Sequence, residues 1–348
     1  MILKCKSLII VLLVVGLPVR IEAQKAKNSQ DSIGVFYSEL FSSLKKSYLH
    51  RNAVDWKSVE SETMKNVSES ENFNASLSEI EVLFRKIDAT HSTVFKGNRR
   101  YSLPAGIPQK EKFSGQWKKK YNSGPGFEVR LIDGKYGYIL MPKIHTSDNR
   151  PDALHRAAQP LYDQIADLQQ KSSPEGWIID LRFNTGGNAG PMLLSLYYFL
   201  GNNTVWSSLD MNKAPVTRYS LSDGVYKMDS KKLGAIRPAG KAMEHVKAAV
   251  ITGLLTASSG EVTALAFKGR PDTVFIGEPT LGYTTGNMLV KLPFGFEMAL
   301  TTSYDGDRNG NYYERIIPDI PVQAQDNFDN LSEDPNILEA VKFFSRNN

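Results

Sequence analysis

The sequence has a single cysteine, Cys5, which precedes an apolar run near the start of the chain. If that start is removed on export, the mature chain has no thiol, which excludes disulfides, thiol catalysis and cysteine-ligated metal sites. No histidine pair has the His-Glu-x-x-His spacing of a helical zinc site. The sequence therefore predicts chemistry without a metal, and nothing in it implies a nucleotide or organic cofactor.

Long hydrophobic runs are also missing. The run from Leu8 to Leu17 is about half of the ~20 residues that a membrane span requires, and no later run is longer. Two lysines precede it, and Ile21-Glu22-Ala23 resembles the end of a cleavage site. We predict a signal peptide over residues 1–23 and a periplasmic or extracellular protein, with a retained anchor as the alternative.

Charge of one sign is not concentrated in the chain. The formal net charge of +5 falls to +3 without residues 1–23, because three cations and one anion leave. The lysines between residues 110 and 120 have no groove-reading partners and are interpreted as a solvated face, so no nucleic-acid partner is expected. The 348 residues, 41% hydrophobic and 23% charged, are typical of a globular protein.

Hydrophobic periodicity divides the chain into a helical front and a mixed core. Helical spacing predicts helices over 31–48 and 76–88, with a short helix near Trp56 and a loop over 66–74. From residue 127 strands and helices alternate, beginning with a hairpin that turns at Asp133-Gly134. The predicted strands are 127–132, 136–141, 176–181, 246–252, 273–276, 287–292 and 297–303, and the predicted helices are 152–170, 190–200, 259–269 and 335–344.

These patterns predict three parts of the exported chain, the last of which contains an insertion. Residues 24–91 form a helical N-terminal region, 92–126 a connecting segment, and 127–348 an α/β core. Within the core, residues 202–245 form a polar insertion that either covers a cleft or decorates the surface.

Two segments place small or polar residues directly after an apolar strand. Gly186 and Gly187 follow the strand at 177–181, where backbone N–H groups can approach a ligand or simply form a tight turn. Ser258 and Ser259 follow the strand at 246–252, where a hydroxyl meets the positive end of a helix or serves as its N-cap, with Glu261 in the first turn.

Two further residues are candidates for proton transfer. His91 follows a predicted helix among polar neighbours, which suits a general base and equally suits a cation at a helix C-terminus. Glu314 precedes a proline turn and is either a carboxylate that orients a histidine or a surface partner of Arg315.

Read in order, these segments resemble the C-terminal-processing (tail-specific) serine peptidase family over roughly residues 76–345. The residues that carry the resemblance are Ile178-Ile179-Asp180-Leu181-Arg182-Phe183-Asn184-Thr185-Gly186-Gly187, Thr256-Ala257-Ser258-Ser259-Gly260-Glu261, Ile276-Gly277-Glu278-Pro279-Thr280 with Gly282, and Pro318-Asp319-Ile320-Pro321-Val322. The resemblance implies a β/α spiral core of the crotonase and Clp-peptidase type. It also implies that Ser258 is the nucleophile, with the N–H of Ser259 and of Gly186 or Gly187 as the oxyanion hole.

The general base departs from part of this family. Members with a Ser-Lys dyad carry lysine where this chain has Tyr283, and Lys268 and Lys291 do not occupy that position. The branch typified by the tricorn core uses histidine instead, and Asp88-Ala89-Thr90-His91 resembles its histidine segment. That resemblance implies a Ser258, His91 and Glu314 set, with Thr90 as an additional hydroxyl.

The segment 92–126 is too short for the PDZ domain that many members carry, so substrate recruitment is expected to differ. We therefore predict a secreted or periplasmic serine endopeptidase that cleaves peptides or proteins through an acyl-enzyme. The alternative is a catalytically inactive member that binds a peptide, glycan or lipid. An acyl-CoA enzyme of the crotonase type is a third possibility, which export disfavours.

Overall fold

The structure is a computed structural model, and it describes residues 29–104, 106, 108–146, 148–323 and 325–346. The predicted signal peptide lies outside the described residues. Among the helices of the described ranges, none combines the length and the apolar character that crossing a membrane requires.

The described residues form ten α-helices and fourteen strands. The helices are α1 (Ser29–Ser47), α2 (Trp56–Ser68), α3 (Phe73–Ser76), α4 (Glu79–Lys86), α5 (Gly115–Asn122), α6 (Pro151–Ser172), α7 (Ala189–Ser195), α8 (Tyr197–Leu200), α9 (Ser259–Leu265) and α10 (Pro335–Phe344). The strands are β1 (Thr93–Lys96), β2 (Arg99–Tyr101), β3 (Glu128–Ile132), β4 (Tyr136–Leu140), β5 (Gly176–Asp180), β6 (Thr204–Leu209), β7 (Pro215–Ser222), β8 (Val225–Met228), β9 (Lys231–Ala235), β10 (Ala248–Thr252), β11 (Thr273–Gly277), β12 (Thr285–Leu292), β13 (Phe296–Gly306) and β14 (Ile320–Pro321).

One sheet is mostly parallel and has the order β14-β11-β10-β5-β4-β3, with only β3 antiparallel to its neighbour. Every residue of β4, β5 and β10 is buried, as continuous apolar strands require when both faces are covered. Helices α6, α7 and α8 contribute to the hydrophobic core on one face and α10 to the core on the other. The predicted α/β core is therefore confirmed.

The second sheet is antiparallel and is organised around the long strand β13. Its beginning pairs with β1, its end pairs with β6, and β12 runs beside it for almost its whole length. Strands β6 to β9 all come from residues 202–245. The segment interpreted from the sequence as a polar insertion is thus a continuation of this sheet.

The N-terminal helices pack on this second sheet through one apolar cluster that includes Phe36, Leu40 and Leu83 from the helices and Met298 from β13. The loop expected at 66–74 is shorter than predicted, because α2 continues to Ser68. Asn72 then begins α3 by accepting a hydrogen bond from the N–H of Ala75 at 3.0 Å.

A buried cluster of charged residues fixes the segment that follows β5. The Arg182 guanidinium is 3% exposed and bonds the carboxylates of Asp180 (2.6 Å), Asp326 (2.8 Å) and Asp334 (2.9 Å). The Arg182 charge lowers the pKa of Asp334 against the opposing effect of burial. Tyr138 also donates to Asp180 at 2.9 Å. This cluster ties the end of β5 to the C-terminal segment that precedes α10.

We expect Arg182→Met to lower the free energy of unfolding by about 3–5 kcal/mol, because three aspartates lose the one guanidinium partner that they have among the described residues. Urea denaturation measures the change. Arg156→Met is the matched control, since Arg156 makes an exposed pair with Asp152 and its loss is expected to cost at most about 1 kcal/mol. Equal losses in the two variants would contradict a structural role for the buried cluster.

Candidate active site

A cleft of about 710 Å³ lies where the ends of β5 and β10 meet the second sheet. Because β5 and β10 are adjacent and parallel, the loops after them emerge at the same edge, which brings Gly187 and Ser258 together. Strand β12, from the second sheet, contributes Thr285 to the lining of the cleft. Trp206 and Tyr219 from the 202–245 segment form an aromatic wall, which favours the expectation that this segment covers a cleft.

Ser258 stands at a strained turn between β10 and α9. Its φ of 53° and ψ of −121° are unfavourable for a residue with a Cβ, and such strain is typical of a nucleophile held on a sharp strand-to-helix turn. The turn is fixed on both sides. Thr256 Oγ1 donates to the carbonyl of Leu181 at 2.8 Å, and the N–H of Ala257 donates to the carbonyl of Asn184 at 3.0 Å.

Glu261 holds this turn through its buried carboxylate. It accepts hydrogen bonds from the N–H groups of Ser258 (2.9 Å), Gly282 (2.9 Å) and Tyr283 (2.7 Å), and from the hydroxyl of Thr280 (2.5 Å). Burial raises the pKa of Glu261, and these four donors act in the opposite direction. The glutamate that the sequence indicated as a first-turn residue therefore joins the Ser258 turn to the 280–283 loop.

The two glycines differ in their hydrogen bonding. The N–H of Gly186 donates to Asn184 Oδ1 at 3.1 Å, whereas in the described part of the chain the N–H groups of Gly187 and Ser259 have no protein acceptor. A methyl group on Gly186 would lie 3.0 Å from Ser258 Cβ and 3.5 Å from its Oγ, so the loop that carries the two glycines passes directly beside the hydroxyl. Of the two glycines, Gly187 therefore has the N–H available to a ligand.

His91 is positioned by the N-terminal helices and by β12. Helix α4 is followed by a left-handed residue, Asp88 (φ 56°). Tyr48, directly after α1, donates to the carbonyls of Ile87 (2.9 Å) and Asp88 (3.1 Å). The carbonyl of His91 accepts from the Asn287 side chain at 3.0 Å. The turn that carries His91 is thus held against the second sheet.

The imidazole of His91 contacts Thr285 and Tyr283. Its Nδ1 lies 2.7 Å from Thr285 Oγ1, and its ring stacks on Tyr283 with centroids 4.7 Å apart. Desolvation in this half-buried position lowers the pKa of His91 to about 4. His91 is therefore neutral at neutral pH, which is the protonation state that a general base requires.

The expected set of side chains is assembled only in part. Ser258 Oγ and His91 form no hydrogen bond in the described structure. The side chains of Glu314 and Thr90 are exposed, and the residue that bonds His91 Nδ1 is Thr285. Sequence reasoning missed Thr285 and Tyr283 as neighbours of His91, because 194 positions separate Thr285 from the histidine and no local pattern connects them.

Neither lysines nor metal ligands form a cluster at this site. The described residues that line the cleft include no lysine. In the same residues, no group of three or more histidine, cysteine, aspartate or glutamate side chains could hold a metal ion.

The family model for peptidase family S41 matches residues 135–322, which is more than half of the chain. The chain belongs to peptidase family S41. The expected family and the class of serine-type peptidase are thereby confirmed. The chain is 30% identical over 193 residues to a nisin-resistance protein of Lactococcus lactis subsp. lactis, a match that covers 54% of this chain and 57% of that protein.

Two solved structures share the fold of this S41 chain. A lipoprotein from Streptococcus agalactiae is 25% identical with a TM-score of 0.61, and the match covers 82% of this chain and 90% of that one. A photosystem II D1 C-terminal processing protease is 13% identical with a TM-score of 0.55, covering 83% of this chain and 92% of that one. These matches support the predicted β/α spiral core.

We expect Thr285→Val to change the tautomer balance of His91, because the variant removes the only hydrogen bond of Nδ1 in the described structure. The loss is expected to shift this balance by about 0.5–1.5 kcal/mol, which ¹⁵N chemical shifts of the imidazole measure. Thr285→Ser keeps the hydroxyl and is expected to preserve the native shifts.

Glu314→Gln tests the residue indicated by the sequence. Its exposed side chain predicts no change in the imidazole signals. Altered His91 signals in Glu314→Gln, with native signals in Thr285→Val, would contradict the assignment of Thr285 as the orienting residue.

Proposed function

We propose that this S41 peptidase is an exported endopeptidase that hydrolyses peptide bonds through an acyl-enzyme on Ser258. The observation that carries the proposal is the convergence, in one cleft, of a strained serine and two unpaired backbone donors, the N–H groups of Gly187 and Ser259. Preorganised donors aimed at a developing oxyanion are usually the largest single contribution to acyl transfer.

In the acylation step, Ser258 Oγ attacks the scissile carbonyl while its proton passes to His91 Nε2. The carbonyl oxygen becomes an oxyanion, which the N–H groups of Gly187 and Ser259 stabilise. Collapse of the tetrahedral intermediate breaks the C–N bond, and the imidazolium of His91 returns the proton to the leaving amine. In deacylation, water attacks the ester of the acyl-enzyme and gives its proton to His91. Collapse of the second tetrahedral intermediate regenerates Ser258 and releases the second product.

The role of Thr285 follows from the direction of proton transfer. Nε2 can accept the serine proton only if Nδ1 carries the ring hydrogen, so Nδ1–H donates to Thr285 Oγ1 in the reactive tautomer. A hydroxyl has no negative charge to stabilise the imidazolium, and it therefore orients the base less strongly than the carboxylate of an Asp or Glu triad.

The mechanism requires His91 to approach Ser258 when substrate binds. Catalytic hydrogen bonds are often long or misaligned in an unliganded enzyme and tighten in the substrate complex. If the approach does not occur, the alternative function applies, in which the cleft binds a peptide, glycan or lipid without cleaving it.

We predict that a fluorophosphonate probe labels the purified protein and that Ser258→Ala abolishes labelling. His91→Ala is expected to slow labelling by about 10²–10⁴-fold, the usual contribution of a general base. Ser259→Ala removes the neighbouring hydroxyl but keeps the backbone N–H, so labelling that persists in this variant identifies Ser258 as the nucleophile. An unlabelled wild-type protein, tested beside a reactive control hydrolase, would favour the binding function.

The pH dependence of kcat/KM tests the role of His91. A base with a pKa of about 4 stays neutral as the pH falls through 6.5, the ordinary pKa of histidine, and becomes protonated only near its own pKa. The acid limb of kcat/KM is therefore expected near pH 4. It is measured with peptide substrates, over the pH range in which circular dichroism shows that the enzyme is folded. An acid limb near pH 6.5 would contradict a desolvated His91 as the base.

Export and the identity of the substrate are tested separately. Export is supported by the predicted signal peptide over residues 1–23 and by the likeness to a streptococcal lipoprotein. Cell fractionation with N-terminal sequencing decides whether the chain leaves the cytoplasm and where it is cut. Because one relative is a nisin-resistance protein, nisin belongs in the first substrate panel, beside a general peptide library.

A further inference from the structure

One acidic side chain in the cleft has no use in the mechanism above. Asp305, near the end of β13, lines the cleft together with Ser258 and is only 1% exposed. Its Oδ1 is buried and has no hydrogen-bond partner among the described residues. An unsatisfied buried carboxylate is costly, and it requires an explanation in a folded protein.

The described lining of the cleft supplies no positive charge to Asp305, because it includes neither lysine nor arginine. The carboxylate of Glu261 adds negative charge nearby. Burial and the neighbouring charge of Glu261 raise the pKa of Asp305 well above its ordinary value. Tyr219 and Tyr226 are the other titratable groups that interact with it.

Space beside Asp305 depends on a glycine. A methyl group on Gly286 would lie 2.5 Å from Ser303 Oγ and 3.1 Å from Asp305 Oδ1, so any larger residue there would force both side chains to move. Because Gly286 has no side chain, the Asp305 carboxylate can occupy its position at the wall of the cleft.

The rest of the lining suits an aliphatic stem that ends in a cation. Met228, Val262 and Ala299 provide apolar surface for methylene groups. Trp206 and Tyr219 stack at 3.8 Å between ring centroids and form an aromatic face, which attracts ammonium and guanidinium groups. A lysine or arginine side chain combines these two properties.

We propose that Asp305 is a specificity residue that receives a cationic side chain, lysine or arginine, of the substrate residue beside the scissile bond. The inference rests on the proposed peptidase function, because the same cleft holds Ser258 and the donors of Gly187 and Ser259. The incoming ammonium or guanidinium group supplies the partner that the protein does not.

The test compares wild type with Asp305→Asn on internally quenched peptides that carry lysine, arginine or norleucine at the positions flanking the cleaved bond. Wild type is expected to prefer a cation over norleucine by at least about tenfold in kcat/KM, and Asp305→Asn to reduce this preference to about one- to threefold. Norleucine controls for the aliphatic stem. Asp167→Asn, which removes an exposed carboxylate paired with Lys171, controls for net charge.

A stability measurement separates specificity from a structural role. Asp305→Asn removes a buried carboxyl group whose Oδ1 has no partner, and it is therefore expected to unfold at the same or a higher temperature than wild type. The proposal would be overturned by a lower unfolding temperature of Asp305→Asn than of wild type. It would also be overturned if wild type showed no preference for a cation, or if the preference persisted in Asp305→Asn.

A binding measurement keeps this proposal distinct from the peptidase function. If wild type hydrolyses no peptide and takes up no fluorophosphonate, the peptidase function fails. Titration of the protein with n-butylguanidinium chloride then still decides the role of Asp305. Binding that disappears in Asp305→Asn and persists in Asp167→Asn supports the cation site, and absence of binding to wild type overturns it.

Discussion

The buried carboxylate of Glu261 is the constraint on which the rest of the site depends. It lies in the first turn of α9 and accepts hydrogen bonds from two segments, the Ser258 turn and the 280–283 loop. Because a buried carboxylate must be hydrogen-bonded to be tolerated, the two segments cannot separate without a large cost. The strained backbone of Ser258 is maintained by this requirement.

The two sheets contribute different components to the cleft. The parallel sheet supplies Ser258 and the two glycines, since the loops after β5 and β10 emerge at one edge. The antiparallel sheet supplies Thr285 at the start of β12 and Asp305 near the end of β13, and these strand ends are adjacent because Thr285 pairs with Tyr304. The hydroxyl that bonds His91 and the proposed specificity residue therefore depend on the same strand pair, whereas the proposed nucleophile depends on the other sheet.

The parts of the structure that depend on local pattern were predictable. The hairpin at 127–141 is present as β3 and β4, with Asp133 (φ 51°) and Gly134 (φ 66°) in the turn that the Asp-Gly pair indicated. Periodicity was less informative about interruptions. The helix expected at 190–200 is divided into α7 and α8 at Leu196, and Asn72 begins a short helix inside the expected loop.

In the candidate site, too, the residues that depend on local sequence pattern were predictable, and those that depend on tertiary contacts were not. Ser258, Ser259 and the glycines follow apolar strands within a few residues, so strand-loop-helix spacing was enough to make them candidates, and the family resemblance implied their roles. The orienting partner of His91 was not accessible in this way, because it depends on how the turn after α4 meets β12. The sequence offered Glu314 for that role, and the exposed position of its side chain together with the 2.7 Å contact from Thr285 favours the hydroxyl.

Tyr283, which stands at the position of the dyad lysine, affects the protonation of His91. At the position where the resemblance predicted a dyad lysine, the backbone N–H still bonds Glu261, but the side chain is now an aromatic ring that covers one face of His91. An aromatic cover removes water from the imidazole and stabilises its neutral form, which is the form that accepts a proton. The residue at the position of the dyad lysine thus helps to keep His91, the proposed base, in the neutral form that can accept a proton.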